Sequence, residues 1–400
     1  MSVFEHQNYD LVVCGAGPAG LMASSTFAKM TKGAKRILLL DKKDPWKEPI
    51  FCAEAVSADR LGKLMPIDRS WVRGDVSGIY FTSPKGFRAE FYSKDCGLIL
   101  DRSMFHHALA DACIEAGAEC HFDSLVKGIA RNEDGSWAIS VQPKGNSVET
   151  LCAKAVIDAT GPGARLTRGI GCLEGIESGD TDLEPAVFAV AEGIEHSREH
   201  IELFFGTEFK NGYGWIFPRD GKVVNIGFVL GKDAKSEKPL KQKLEEMIAS
   251  RYPGARVQAI YGGMIACGQS QKPMARCGLF KAGDAASCVN PISRSGIVES
   301  LLCGKIVAES VVEWLDAVDD AGRVRVERSV LDRWMAALGK SHLQLTRAKK
   351  GFYSISDSQF DRAAEKLSRL PREKQTLFRI FFSVLCVSPS LIWKMRSFIR

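Results

Sequence analysis

Four residues near the start of the chain have the types and spacing to hold a dinucleotide. Gly15, Gly17 and Gly20 form the G-x-G-x-x-G run Gly15-Ala16-Gly17-Pro18-Ala19-Gly20, and Asp41 stands 21 residues after the last glycine. In such a run the first glycine permits a tight turn and the second lets backbone approach a pyrophosphate. The third allows close helix-to-strand packing, and the acid accepts from the ribose hydroxyls of an adenosine. The glycine run alone is a common turn; paired with Asp41 it points to FAD or NAD. Two further sets can do chemistry. Cys52, in Phe51-Cys52-Ala53-Glu54-Ala55-Val56-Ser57, brings a thiol that is ordinarily protonated at neutral pH, hence either an acid or a structural group. Tyr213, Trp215 and Phe217 lie at i, i+2, i+4, so on a strand they share one face, where they either line an apolar slot or pack a sheet.

The elements that must position these residues follow from the hydrophobic pattern. Residues 9 to 41 read as a short β-branched strand, a glycine turn, a helix of small residues and a second apolar strand, Ile37-Leu38-Leu39-Leu40. That is a βαβ unit, which predicts a parallel sheet. Between residues 76 and 100 the pattern changes to aromatic strands around a Pro/Gly turn, a hairpin of another sheet. An α/β stretch runs from Arg102 to about Gly171, a β-rich region from about 176 to 270, and the α/β pattern returns at Gly278-Leu279-Phe280. This order predicts an α/β protein in which a discontinuous dinucleotide-binding domain is interrupted twice by a smaller sheet domain. Near the C-terminus, Ser356-Asp357-Ser358-Gln359 has the form of a capping box opening a helix.

The composition is that of a globular protein: 400 residues, 45% hydrophobic and 26% charged, which excludes disordered and collagen-like chains. No run approaches the length of a membrane span, and the polar N-terminus is not that of a cleaved signal. Twelve cysteines show neither a C-x-x-C pair nor zinc-ligand spacing, so no metal is expected and reduced thiols in a cytoplasmic protein are. Charge is uneven. Residues 331–400 carry 14 Lys+Arg against 5 Asp+Glu, whereas the first 330 carry 40 against 43. The basic tail holds an apolar stretch from Leu377 to Val387 and an apolar-cationic mixture after Pro389. It can lie on an anionic membrane or pack on the body or a dimer partner; no recognition fold accompanies it, so nucleic acid is not expected.

Four segments carry a family resemblance. Leu98-Ile99-Leu100-Asp101-Arg102 resembles the segment that places an arginine beside the FAD pyrophosphate in the flavoprotein superfamily that includes the aromatic hydroxylases. Val156-Ile157-Asp158-Ala159-Thr160-Gly161 resembles that superfamily's strand closing in Ala-Thr-Gly. Gly278 to Ala286 is similar to its late Gly-Asp segment, whose acid holds the ribityl chain. Pro291 to Gly296-Ile297 then opens a helix whose N-terminus faces the flavin pyrimidine ring and favours negative charge there. Together they imply FAD. Two more segments narrow the likeness. Asn211-Gly212-Tyr213-Gly214-Trp215-Ile216-Phe217-Pro218, followed by Asn225-Ile226-Gly227, resembles the Y-x-W-x-F-P signature of geranylgeranyl reductases. The Cys52 segment resembles the cysteine loop of the same family, especially its archaeal lipid reductases. The chain departs from the pattern at Lys210, where the family usually has proline, and at Ser293-Arg294-Ser295, where it has a glycine-rich turn. Arg294 there either favours anionic reduced flavin or points to solvent. The Asp that precedes the glycine of the hydroxylases is absent at Thr160-Gly161.

The resemblance, from about residue 9 to 320, implies an FAD-binding domain at 1–75, 100–175 and 271–325. It implies a substrate-binding antiparallel sheet domain at 76–99 and 176–270; a basic helical region at 326–400 lies beyond it. Flavin contacts are implied for Gly15, Gly17, Ala19, Gly20 and Asp41, and for Cys52, Ala53, Ala55, Arg102 and Val126. The late segments add Gly283, Asp284, Gly296 and Ile297. Tyr213, Trp215 and Phe217 become substrate contacts, and Cys52, or a water it positions, the acid. The implied reaction is hydrogenation of alkenes in a geranylgeranyl-type chain, that of a prenylated glycerol lipid ahead of a chlorophyll or quinone side chain, with either NAD(P)H or ferredoxin as external reductant. An oxygen-using flavin hydroxylase or halogenase, and a non-catalytic prenyl-lipid-binding flavoprotein, are the alternatives.

Overall fold

In the computed structural model, residues 2–167, 183–268, 273–352 and 354–375 are described. The first strands are β1 (Asn8–Cys14), β2 (Ile37–Leu40), β3 (Ala55–Ser57), β4 (Val72–Thr82), β5 (Arg88–Leu100) and β6 (Glu119–His121). They are followed by β7 (Ser124–Arg131), β8 (Trp137–Pro143), β9 (Glu149–Asp158), β10 (Leu183–Glu192) and β11 (His200–Phe204). The last are β12 (Tyr213–Pro218), β13 (Val223–Val229), β14 (Arg256–Ala266), β15 (Ala275–Arg276) and β16 (Leu279–Lys281). The helices are α1 (Pro18–Thr31), α2 (Ala58–Gly62), α3 (Arg102–Glu115), α4 (Leu240–Arg251), α5 (Ile297–Asp316), α6 (Asp320–Trp334), α7 (Lys340–Phe352) and α8 (Asp357–Ser368).

These elements sort into two units. One comprises the described residues of Met1–Ile50, Ser103–Asp182 and Ala266–Leu343; the other those of Phe51–Arg102, Leu183–Ile265 and Gln344–Arg400. The segment 51–75, placed with the first domain by the sequence, belongs to the second unit, because β3 pairs antiparallel with β5 and draws its neighbours along. The C-terminal region from 326 is likewise divided. Glu327 of α6 accepts from the Gly278 N–H and the Trp314 Nε1–H, both at 2.9 Å, within the first unit. Asp361 of α8 accepts from Ser83 Oγ at 2.8 Å and the Lys85 N–H at 2.9 Å, within the second.

In the first unit β16, β9, β1, β2 and β6 form a parallel sheet, with Leu11 opposite Ile37 and Val12 opposite Val156. Leu38, Leu39 and Leu40 are each fully buried, as expected of a parallel strand covered on both faces. The N-terminal half of β9 pairs antiparallel with β8, which pairs with β7, while Cys152 and Ala153 also pair with β1. Helix α5 lies against α1 so closely that a Cβ on Gly304 would sit 2.2 Å from the Ala19 carbonyl oxygen.

The second unit is built on a sheet ordered β14-β10-β13-β12-β11-β4-β5-β3, antiparallel at β10/β13, β12/β13, β11/β12, β4/β5 and β3/β5 and parallel at β11/β4. Leu244 and Ile248 of α4 join Ile216, Ile226 and Phe228 in one apolar cluster. Trp215, Phe217, Phe188 and Val229 form another, with Ala53, Tyr213 and Tyr261 packed against it. Helix α8 begins as its capping box predicts: Ser356 is the N-cap, and its N–H donates to Gln359 Oε1 at 2.9 Å.

Candidate active site

The glycine turn of the first unit is built by close backbone approach. Gly15 has φ +110°, and a Cβ there would lie 2.2 Å from the Ala159 carbonyl oxygen; one on Gly20 would lie 1.8 Å from that of Gly15. Gly17 differs. It is the N-cap of α1, with φ −68°, and nothing stands within 4 Å of where its Cβ would be. No side chain caps this first turn, and Pro18 follows at a position that needs no N–H donor. The result is a cradle of helix-start amides that a Cβ at 17 would fill, which fits a pyrophosphate.

Asp41 braces this turn. Its Oδ2 accepts from the Ala16 N–H at 2.6 Å and its Oδ1 from the Lys43 N–H at 2.8 Å. Burial pushes its carboxyl above the ordinary range, and those two hydrogen bonds only partly offset the effect. The backbone of Asp41 donates to the His121 carbonyl and accepts from the Ser124 N–H, which ties β7, and with it Val126, to the same end of β2.

The late segment meets α1 at Ala19. Gly283, with φ +63°, leaves only 2.8 Å between its Cβ position and the Ala19 Cβ. Asp284 follows in a 3₁₀ turn, its Oδ1 3.9 Å from the Cβ position of Gly296, which N-caps α5 one residue before Ile297. Burial, then the charge of Glu299, push the Asp284 carboxyl up to about 6. Arg294 has φ +57° and donates from Nη1 to the Ile292 carbonyl oxygen at 2.6 Å, folding back on its own turn. Asp158, fully buried, ties Thr160 and Thr167 to the end of β9 with four hydrogen bonds of 2.6–3.2 Å.

The second unit brings the cysteine loop and the aromatic strand together. The rings of Tyr213, Trp215 and Phe217 follow one another on β12 at centroid spacings of 6.1 and 5.9 Å. Gly227 on β13 faces Trp215, and a Cβ there would come within 2.6 Å of the indole. Trp215 Nε1 donates to Asn225 Oδ1 at 2.9 Å, and Asn225 Nδ2 donates to the Cys52 carbonyl oxygen at 3.1 Å. Asn225 is fully buried. Cys52 Sγ accepts from the Glu54 N–H at 3.3 Å, and the Glu54 carbonyl accepts from the Leu100 N–H at 3.0 Å. Ala53 and Ala55 pack on the Trp215 cluster. Glu54 Oε2 lies 3.0 Å from Arg219 Nε, a close ion pair without aligned hydrogen-bond geometry. Burial raises the Glu54 carboxyl to about 7, against Arg219, Arg73 and Arg102. Arg73 pairs with Asp101 at 2.5 Å and with Asp220. Arg102, buried at the start of α3, thus stands near this acid. Arg219 is a contact that pattern reading misses, since no periodicity marks it, and Asn225 is marked only as part of the segment Asn225-Ile226-Gly227.

A glycine cradle with a bracing acid, joined at one helix start to a late Gly-Asp turn, has the form of a dinucleotide-binding site. A family model described as FAD dependent oxidoreductase matches residues 51–310, and the chain belongs to that family, with FAD as its cofactor. It is 29% identical to the digeranylgeranylglycerophospholipid reductase of Methanosarcina mazei, covering 97% of this chain and 95% of that protein. It is also 29% identical to digeranylgeranylglycerophospholipid reductase 2 of Methanopyrus kandleri, covering 90% and 91%. Among solved structures, a geranylgeranyl bacteriochlorophyll reductase-like protein of Thermoplasma acidophilum shares the fold with a TM-score of 0.87 at 21% identity, covering 98% of this chain and 99% of that one. A flavin-dependent brominase shares it less closely, with a TM-score of 0.70 at 15% identity over 98% of both chains.

Proposed function

We propose that this chain hydrogenates C=C bonds in geranylgeranyl-type chains of a prenylated glycerol phospholipid. The 29% identity over nearly the whole length to proteins named for that reaction carries the reading. The Trp215–Asn225–Cys52 connection supports it, because it joins the two segments that the sequence likens to prenyl reductases.

Bound FAD, once reduced by an external donor of the NAD(P)H or ferredoxin class, would supply hydride to one alkene carbon. Gly17 and the first turn of α1 would hold its pyrophosphate, Asp41 its ribose and Asp284 its ribityl chain. Cys52 would donate the proton to the second alkene carbon. Its sulfur accepts one N–H from Glu54, which leaves the S–H free to donate elsewhere. Tyr213, half-buried beside the buried Trp215 and Phe217, offers an apolar surface for an isoprenoid segment. The basic residues of 376–400, which lie outside the described residues, would meet the anionic headgroups of the membrane that holds the substrate.

The purified protein, incubated anaerobically with dithionite and a geranylgeranylated glycerophospholipid, should yield products heavier by two hydrogens per alkene in mass spectrometry. Gain of an oxygen under air, or no mass change despite bound FAD, would overturn the reductase reading.

A further inference from the structure

Glu54 is an acid where the local rules disfavour one. It is 7% exposed and has φ +78°, the left-handed backbone that a glycine adopts without strain. Both the burial and the backbone have a visible counterpart. The carboxylate reaches Arg219, the residue directly after β12, and the backbone so held points its N–H at Cys52 Sγ and its carbonyl at the Leu100 N–H. Asn225 grips the same loop from β13 through the Cys52 carbonyl. The thiol is therefore placed from two sides, and only the Glu54 side is ionisable.

We propose that Glu54 is a positioning residue for the Cys52 thiol: its ion pair with Arg219 holds the left-handed turn that aims the Glu54 amide at Cys52 Sγ, and its ionisation state is felt by that thiol. This deepens the reading of Cys52 as the proton donor and rests on it. The charged groups facing Glu54 are Arg219, Arg73 on β4, Asp101 after β5 and Arg102 at the start of α3. With its carboxyl raised to about 7 by burial, Glu54 changes charge in the neutral range, and the behaviour of Cys52 should bend there too.

The test uses the full-length FAD-loaded protein and the variants Glu54→Gly and Glu54→Gln. Glycine suits the left-handed turn better than glutamate does, so a role confined to filling the turn leaves Glu54→Gly at least as good as wild type. The proposal expects kcat to fall by on the order of tenfold or more in Glu54→Gly, with KM nearly unchanged, through misplacement of the acid. It also expects wild-type Cys52 to show a bend near pH 7 in its rate of alkylation by iodoacetamide, followed on the Cys52 peptide by mass spectrometry. Both variants should lack that bend. Wild-type kcat and an unaltered alkylation profile in Glu54→Gly overturn the proposal. If Glu54→Gly does not fold, an unaltered profile in Glu54→Gln, which keeps the side chain's size, overturns it equally. Cys52→Ser separates the two claims. Full turnover in that variant, alongside altered Cys52 alkylation in the Glu54 variants, removes Cys52 from the chemistry and leaves Glu54 in its positioning role.

Discussion

Asp284 gives the site a measurable pH signature. Its carboxyl is raised from the ordinary 3.8 to about 6 by burial and by Glu299, so the folded protein holds that proton more tightly than the unfolded chain. The stability it contributes is full below pH 4 and is lost as pH rises through 6, about 1–3 kcal/mol in all. In the FAD-free protein, Asp284→Asn should lack this part of the decline between pH 4 and pH 7 in urea melts; a decline equal to the wild type's would mean the carboxyl is not held as described. At Cys52 the measurement is catalytic. Cys52→Ser should retain bound FAD, visible in its absorbance, while turnover drops at least about a hundredfold through loss of the acid. Full activity would return Cys52 to a structural thiol.

The start of α1 separates room for a ligand from room for a side chain. A methyl at Gly20 would collide with the Gly15 carbonyl, whereas one at Gly17 meets nothing of the protein. Gly20→Ala should therefore cost about 1–3 kcal/mol or fail to fold. Gly17→Ala should melt within about 1 kcal/mol of wild type but be purified without FAD. A yellow, FAD-saturated Gly17→Ala protein would show that the pyrophosphate does not use this cradle. Between β12 and β13 the critical link is Asn225. Asn225→Leu strands the Trp215 N–H and the Cys52 carbonyl, at a cost of about 2–4 kcal/mol, and should speed alkylation of Cys52 by freeing its loop. Unchanged stability and reactivity would argue against the connection.

Over the whole molecule, charge and substrate point the same way. Residues 376–400 contain Arg379, Lys394, Arg396 and Arg400 and no acid, and each cation near an anionic surface is worth about 1 kcal/mol. Deleting them should lower co-sedimentation with anionic liposomes by at least about tenfold while FAD stays bound. Added salt should weaken the binding of the full-length chain in the same assay. Undiminished co-sedimentation after deletion would assign the tail to packing. Among the described residues no helix is long and apolar enough to cross a membrane.

Local features with their own periodicity or spacing were readable in the chain. The glycine turn, the βαβ alternation, the 76–100 hairpin and the Ser356 capping box each depend on neighbours within a few dozen residues, and each has its predicted form. The unit boundary at Ile50 was not readable, because three residues of β3 carry too little pattern to reveal that they pair with β5 about 40 residues away. Nor was the network around Cys52. Asn225 and Arg219 lie about 170 residues from Cys52 and Glu54, and only the folded sheet domain brings them to that loop. Residue type announced a thiol and an acid; burial and long-range contact decided that the acid sits in a left-handed turn beside the thiol, since desolvation and ion pairing are properties of the folded surroundings.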